Sequence, residues 1–201
     1  TVSLFSLRGN ANTAFFSGRT YANFELNYPG GDPFVEGSRP FIADDLTITA
    51  GELHLWLTGT GHSIRGDILT QPGTRLDMQS SFVGHTIHIN GARRQRISIL
   101  GQISRNPGNT VAFDNPLGVT IETLFAAWNL ELVNGVVSVP HPLSYLRASG
   151  TVSRVNGYVD GYFLRGVDSP GTYTVDVGTK NGYSPVTVEI TVGHDFPGLL
   201  K

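Results

Sequence analysis

The feature that most constrains the fold of this chain is how often it turns. Gly, Pro and Asn interrupt the sequence every eight to twelve residues, and the pieces between them alternate apolar and polar side chains. Alternation with a period of two, bounded by turn residues, is the signature of a β-strand. About a dozen short strands at this spacing predict an all-β fold, namely an antiparallel β-sandwich or barrel with long surface loops.

Two segments depart from the strand pattern, and one predicts a hairpin. Residues 120–128 form the only plausible helix, which is short. Residues 27–41 carry three prolines and three glycines and are expected to form a long surface loop. Asn181-Gly182 lies between two alternating runs and predicts a hairpin with a half-buried closing strand. Because no internal repeat or linker is visible, residues 1–201 are predicted to form a single domain.

Composition excludes several classes of function. The net charge of −2 gives no basic field that would attract nucleic acid, so no nucleic-acid partner is expected. The absence of Cys excludes a disulfide scaffold and a thiolate metal site. No segment approaches 18 consecutive apolar residues, so membrane insertion is not expected. Charged residues make up only 15% of the chain, which is typical of many secreted or virion-surface β proteins.

Catalytic motifs are missing from the sequence. There is no G-x-S-x-G, no H-E-x-x-H and no phosphate loop, so the chain is predicted to be no enzyme and to use no cofactor. One strip leaves an alternative open, because Glu52, His54 and Trp56 share one face of a predicted strand. With a second carboxylate on a neighbouring strand, they could line a sugar-cleaving cleft. Trp56 could also stack on a sugar, whereas Trp128 is expected in the core.

A candidate binding patch lies in residues 82–100. His85 and His88 are three positions apart on a strand, so they point to opposite faces and no metal site is expected. A three-residue turn at 90–92 would group the apolar residues on one buried face. The opposite face would then suit a carboxylate, sulfate or phosphate, although solvated edge charges are the alternative. This predicted patch consists of Thr86, His88, Arg94 and Arg96.

Arg65, Gly66 and Asp67 form the tripeptide that many integrins bind. Residues 58–62 are the natural turn after the strand at 52–58, so the tripeptide is predicted to lie in the middle of a second hairpin strand. Arg65 and Asp67 would there share one face and pair with each other or with neighbours. Integrin ligands present the motif at an exposed loop tip, so the sequence favours a structural role over an attachment role.

Two segments carry a resemblance to a known class of protein. LHLW (53–56) looks like the strand that opens many virus fibre heads, and GYSPVTVEITVG (182–193) looks like their closing edge hairpin. The whole chain, all-β, Cys-free and Lys-poor, resembles the receptor-binding heads of virus attachment proteins. The likenesses are the adenovirus fibre head of bird-virus type and, second, the astrovirus capsid spike.

This resemblance implies a non-enzymatic attachment domain at the virion surface that binds a host cell-surface receptor, either a glycan or a protein. It also implies a homo-oligomer, with a trimer preferred over a dimer. Two alternatives remain open and would place the chain in a secreted or cell-surface setting. One is a carbohydrate-binding or carbohydrate-processing domain, and the other is a bacterial surface adhesin module.

Overall fold

The computed structural model describes residues 4–7, 17–32, 34–78, 84–104, 107–191 and 197–201. Within these residues every regular element is a β-strand, and most neighbouring strands run parallel. Phe24 is paired with Leu46, and Leu46 with Ile68, a spacing of 22 residues in both steps. The chain therefore winds into a β-solenoid of stacked coils. The predicted antiparallel sandwich or barrel is wrong.

Three stacks of parallel strands run along the solenoid, each coil adding strands to them. The first stack contains β6 (His62–Ile64), β9 (Thr86–Ile89), β12 (Thr110–Asp114), β15 (Asn129–Asn134) and β18 (Val152–Arg154). The second contains β7 (Ile68–Thr70), β10 (Gln95–Ile99), β13 (Val119–Ile121), β16 (Val136–Val139) and β19 (Tyr158–Gly161). The third contains β3 (Phe34–Gly37), β5 (Glu52–Leu57), β8 (Arg75–Asp77), β11 (Gln102–Ser104), β14 (Leu124–Ala127), β17 (Tyr145–Ala148) and β20 (Phe163–Val167).

Longer strands join these stacks at the N-terminal end. β4 (Phe41–Ala50) pairs with both β6 and β7, so it connects the first and second stacks. β2 (Arg19–Asn27) lies parallel to β4, and β1 (Leu4–Leu7) lies parallel to β2. The third stack is divided into two sheets, because β11 and β14 are not hydrogen-bonded to each other.

Apolar side chains from successive coils stack directly on one another inside the solenoid. Leu46, Ile68, Ile97 and Ile121 occupy consecutive register positions, and all four are fully buried. Their neighbours along each strand point outward, since side chains alternate across a strand. A shift of one residue in any coil would move its apolar set to the surface, so the burial pattern fixes the register.

The predicted helix at 120–128 is two strands instead. β13 ends at Ile121, the chain turns, and β14 follows in the third stack. Phe125, Ala126 and Ala127 are all buried, so β14 lacks the alternation that identifies a half-exposed strand. A short continuous apolar run cannot be assigned to helix or strand by periodicity alone. The predicted loop at 27–41 likewise contains a strand, β3, which pairs with β5.

An antiparallel unit closes the C-terminal end. β21 (Gly171–Val175) pairs with β24 (Val186–Ile190), and β22 (Gly178–Thr179) pairs with β23 (Gly182–Tyr183), which confirms the hairpin predicted from Asn181-Gly182. Val188 and Ile190 are half-buried as predicted, whereas Val186 is 51% exposed. β25 (Gly198–Leu200) lies antiparallel to β20 and covers the last edge of the third stack. Covering a sheet edge in this way protects its unpaired backbone groups.

Close contact between successive coils predicts a difference between two glycine substitutions. Gly135 and Gly30 both have a positive φ, 79° and 73°, so alanine is strained at either position. A Cβ on Gly135 would also clash with the Asn115 carbonyl oxygen of the preceding coil, whereas a Cβ on Gly30 would meet nothing within 4 Å. We expect Gly30→Ala to lower the free energy of unfolding by about 1 kcal/mol, and Gly135→Ala by at least about 3 kcal/mol. Urea unfolding measures the free energy of both variants. Equal losses would contradict the close stacking of Gly135 on Asn115.

Candidate functional site

The outward surface of the third stack carries a cluster of polar and aromatic side chains on β5 and β8. Leu53, Leu55 and Leu57 are buried, so the alternate residues of β5 point outward, as the sequence predicted. The parallel register places Glu52 opposite Arg75 and His54 opposite Asp77. We call this group the β5–β8 cluster; its members are Glu52, His54, Trp56, Arg75 and Asp77.

A histidine–aspartate pair lies at the centre of the β5–β8 cluster. His54 Nδ1 is 2.9 Å from Asp77 Oδ2, and the Asp77 side chain is only 4% exposed. A carboxylate can only accept a hydrogen bond, so Nδ1–H of His54 donates to it. This hydrogen bond orients the imidazole and directs its Nε2 toward Glu52, whose Oε2 is 3.7 Å away.

Arg75 links the two carboxylates of the cluster. Its Nη1 lies 3.5 Å from Glu52 Oε2, and its Nη2 lies 3.9 Å from Asp77 Oδ2. Its Nε donates to Ser104 Oγ at 2.8 Å, which ties the cluster to the next coil. Arg75 supplies one positive charge against two carboxylates, so it offsets part of their negative charge.

Trp56 flanks this hydrogen-bonded array on the same outward surface. Its ring meets the His54 ring edge-on, with the centroids 6.4 Å apart and the planes at 80°. On the other side Trp56 is in register with Glu36 of β3. The structure thus sets a partly exposed indole beside a row of donors and acceptors, as the shared strand face of Glu52, His54 and Trp56 suggested.

The predicted patch of Thr86, His88, Arg94 and Arg96 is divided between two stacks. β9 pairs with β6 and β12 rather than with β10, so the expected hairpin does not form. Thr86 and His88 point outward from the first stack, whereas Arg96 is exposed on the second stack. Arg94 lies in the turn between the two strands. Arg96 Nη1 instead lies 3.9 Å from Glu122 Oε1 of the next coil.

His85 and His88 point to opposite sides of the first stack. His85 is buried inside the solenoid, where its ring centroid lies 6.0 Å from that of His62. Burial, and then the nearby His62, lower the pKa of His85 to about 4, so the buried ring is neutral at pH 7. His62 accepts a hydrogen bond at Nδ1 from the Phe41 backbone N–H. Among the described residues, no three His, Cys, Asp or Glu side chains are grouped to hold a metal ion.

The Arg65-Gly66-Asp67 tripeptide forms the corner between β6 and β7, not the middle of a strand. Asp67 accepts hydrogen bonds from the Arg96 backbone N–H at 2.8 Å and from Arg93 Nη1 at 3.0 Å. Arg93 also reaches Asp45 Oδ1 at 2.8 Å. The Asp67 backbone N–H also donates to Asp45 Oδ1 at 2.8 Å, so Asp67 joins three consecutive coils. Arg65 is exposed.

Sequence reasoning missed Arg75 and Asp77. The strip on β5 was visible from alternation, and a second carboxylate on a neighbouring strand was the condition set for a sugar site. Which strand lies next to β5 depends on the length of a coil, and no local signal gives that length. The only hint is that residues 75–77 are polar, apolar and polar in turn, like residues 52–54.

The protein is a β-solenoid that carries the β5–β8 cluster on the outward surface of its third stack. Comparison with protein-family models, with curated proteins and with solved structures gives no significant match. Within the described parts of the chain, no helix has the length and apolar character needed to cross a membrane.

The buried pair predicts unequal effects for the two carboxylates of the cluster. Asp77→Ala removes the partner of a His54 side chain that is only 12% exposed, and we expect a loss of about 2–3 kcal/mol in unfolding free energy. Glu52 is 45% exposed, so Glu52→Ala should cost less than about 1 kcal/mol. Chemical denaturation of both variants gives the comparison. Losses of equal size would show that Asp77 does not organise the cluster.

Proposed function

We propose that this chain is a carbohydrate-binding domain that holds a polysaccharide against the β5–β8 cluster. The supporting observation is the position of Trp56 beside the hydrogen-bonded row that contains His54, Asp77 and Arg75. The C–H face of a sugar ring can stack on the flat apolar surface of an indole. The adjoining donors and acceptors match sugar hydroxyls, which is the usual composition of a small-molecule site.

The geometry of the stack favours an extended ligand. Neighbouring strands of a sheet lie about 4.8 Å apart, so outward side chains repeat along the solenoid at that interval. Glu36 on β3 continues the polar surface on one side of β5, and Ser104 on β11 continues it beyond β8. A polymer lying along the solenoid axis would meet a similar set of groups from each strand it crosses.

The charge balance supports a neutral sugar at this position. The cluster holds one arginine, Arg75, and two carboxylates, Glu52 and Asp77, so it has no excess of positive charge that would attract an acidic sugar. Receptor attachment, a homo-oligomer and the virion surface remain predictions from the sequence. Receptor attachment through the β5–β8 cluster would require this polysaccharide to belong to a host cell.

A second candidate function is carbohydrate processing, and one observation favours it. The His54–Asp77 hydrogen bond of 2.9 Å, with a nearly buried carboxylate, is an arrangement that can orient a general base or acid. Release of reducing ends or of unsaturated products from a bound polysaccharide, lost in Asp77→Asn, would establish this activity. Binding without any product would support a purely binding role.

Replacing Trp56 tests the proposed function. The experiment is to screen the protein on an array of neutral and acidic oligosaccharides and then to titrate the best neutral ligand by calorimetry. We expect Trp56→Ala to weaken binding about tenfold or more, because the stacking surface is lost. Trp56→Phe should stay within about threefold, because a ring remains.

Two results serve as control and refutation. His88→Ala, on the first stack, should bind like the unmodified protein, since its position lies outside the cluster. If Trp56→Ala binds the neutral ligand as tightly as the unmodified protein does, the β5–β8 cluster is not the binding surface.

A further inference from the structure

A second group of side chains surrounds a cavity on the C-terminal half of the third stack. The cavity has a volume of about 430 Å³ and is partly open to solvent. Trp128, Arg147 and Ser149 supply its polar and aromatic lining, and residues 197–199 border it from the closing strand. Trp128 was expected in the core, but it is only half-buried and faces this space.

Two polar atoms of this cavity lack partners. Arg147 Nε and Ser149 Oγ are shielded from solvent and make no hydrogen bond within the part of the chain that the structure describes. No carboxylate among those residues forms an ion pair with Arg147 either. A buried donor without an acceptor destabilises the folded state, and more strongly when the group is charged. Unpartnered buried polar groups in a native protein require an explanation, and a functional role is one of them.

The neighbouring strands leave room around the Arg147 side chain. In register, Arg147 lies between Ala126 of β14 and Leu164 of β20, neither of which can accept a hydrogen bond through its side chain. Gly166 borders the cavity beside Ser149, where a Cβ would come within 2.6 Å of the Ser149 carbonyl oxygen. The site is thus formed by small and apolar neighbours around one guanidinium.

Trp128 closes one wall of the same cavity. Its indole packs against Gly150, where a Cβ would lie 2.5 Å from Trp128 Nε1. A glycine at this position lets the ring lie close to the corner that follows β17. An aromatic face, a guanidinium and a hydroxyl therefore meet in one space.

We propose that this cavity binds a sugar bearing an oxyanion, either a carboxylate or a sulfate. The Arg147 guanidinium presents its donors as a planar fork that matches such an oxyanion. Ser149 Oγ donates to the same group or to a hydroxyl next to it, and Trp128 covers one face of the sugar ring. This site lies on other strands than the β5–β8 cluster and does not depend on the function proposed for that cluster.

The two tryptophans allow the two sites to be observed separately, because Trp56 and Trp128 are the only ones in the chain. Trp56→Phe leaves Trp128 as the sole reporter, and Trp128→Phe leaves Trp56. The probes are an oligogalacturonate, a sulfated oligosaccharide and a neutral oligosaccharide of matched length. We expect the fluorescence of Trp128 in Trp56→Phe to respond to at least one acidic probe and not to the neutral one. The responding probe identifies the oxyanion.

Arg147 provides the decisive variants in the Trp56→Phe background. Arg147→Met should weaken binding of the acidic probe tenfold or more, and Arg147→Lys should give an intermediate loss. Arg147→Met should unfold at the same urea concentration as its parent or a higher one, because it removes an unpaired buried donor. Arg96→Gln, which changes an exposed arginine on the second stack, should leave binding unchanged and serves as the matched control.

Three results would overturn this inference. They are equal affinity for acidic and neutral probes, unchanged binding in Arg147→Met, and an equal loss in Arg96→Gln. If the fluorescence of Trp56 changes with the neutral probe and that of Trp128 changes with no probe, the acidic-sugar site is refuted and the proposed function is retained. A response of Trp128 to an acidic probe, with no response of Trp56 to the neutral probe, would support the acidic-sugar site and refute the proposed function.

Discussion

The coils of the solenoid and the β5–β8 cluster depend on the parallel pairing of each coil with the next. Buried aliphatic side chains such as Leu46, Ile68 and Ile97 stack in one line, and the backbone hydrogen bonds between coils hold the same register. Because inward and outward residues alternate, this register also decides which outward side chains become neighbours. The β5–β8 cluster exists because Leu53 lies over Leu76, which brings His54 to Asp77.

Corners are the places where the stacked strands leave backbone groups unpaired, and buried amide side chains satisfy them. Gln95 Nε2 donates to the carbonyl oxygens of Ile64 at 3.1 Å and Gly66 at 2.6 Å. Asn115 Nδ2 in turn donates to Gln95 Oε1 at 2.8 Å. The Asp67 carboxylate likewise accepts a hydrogen bond from the Arg96 backbone N–H, so the tripeptide 65–67 helps to hold successive coils together.

Alternation predicted much of the local structure but not the way in which strands associate. The outward strip of β5 and the C-terminal hairpin could be derived from the sequence, because both follow from neighbouring residues. The solenoid could not, because its coils differ in length. Ile68 is 22 residues after Leu46, and Ile97 is 29 after Ile68. Val137 follows its partner Val119 after only 18. Because the coils differ in length, the sequence shows no fixed period. Glu52, His54 and Trp56 could therefore be predicted to share a face, but their partners Arg75 and Asp77 on the next strand could not be predicted.

Disulfide trapping tests the parallel stacking most directly, since the natural chain has no cysteine. Thr120 and Ser138 are register partners on adjacent strands β13 and β16, about 4.8 Å apart, which is within the Cα range of a disulfide. Thr120 and Asp160 lie two strands apart, at about twice that distance. We predict that Thr120→Cys with Ser138→Cys oxidises to an intramolecular disulfide, whereas Thr120→Cys with Asp160→Cys stays reduced. A disulfide in the second pair and none in the first would contradict the solenoid.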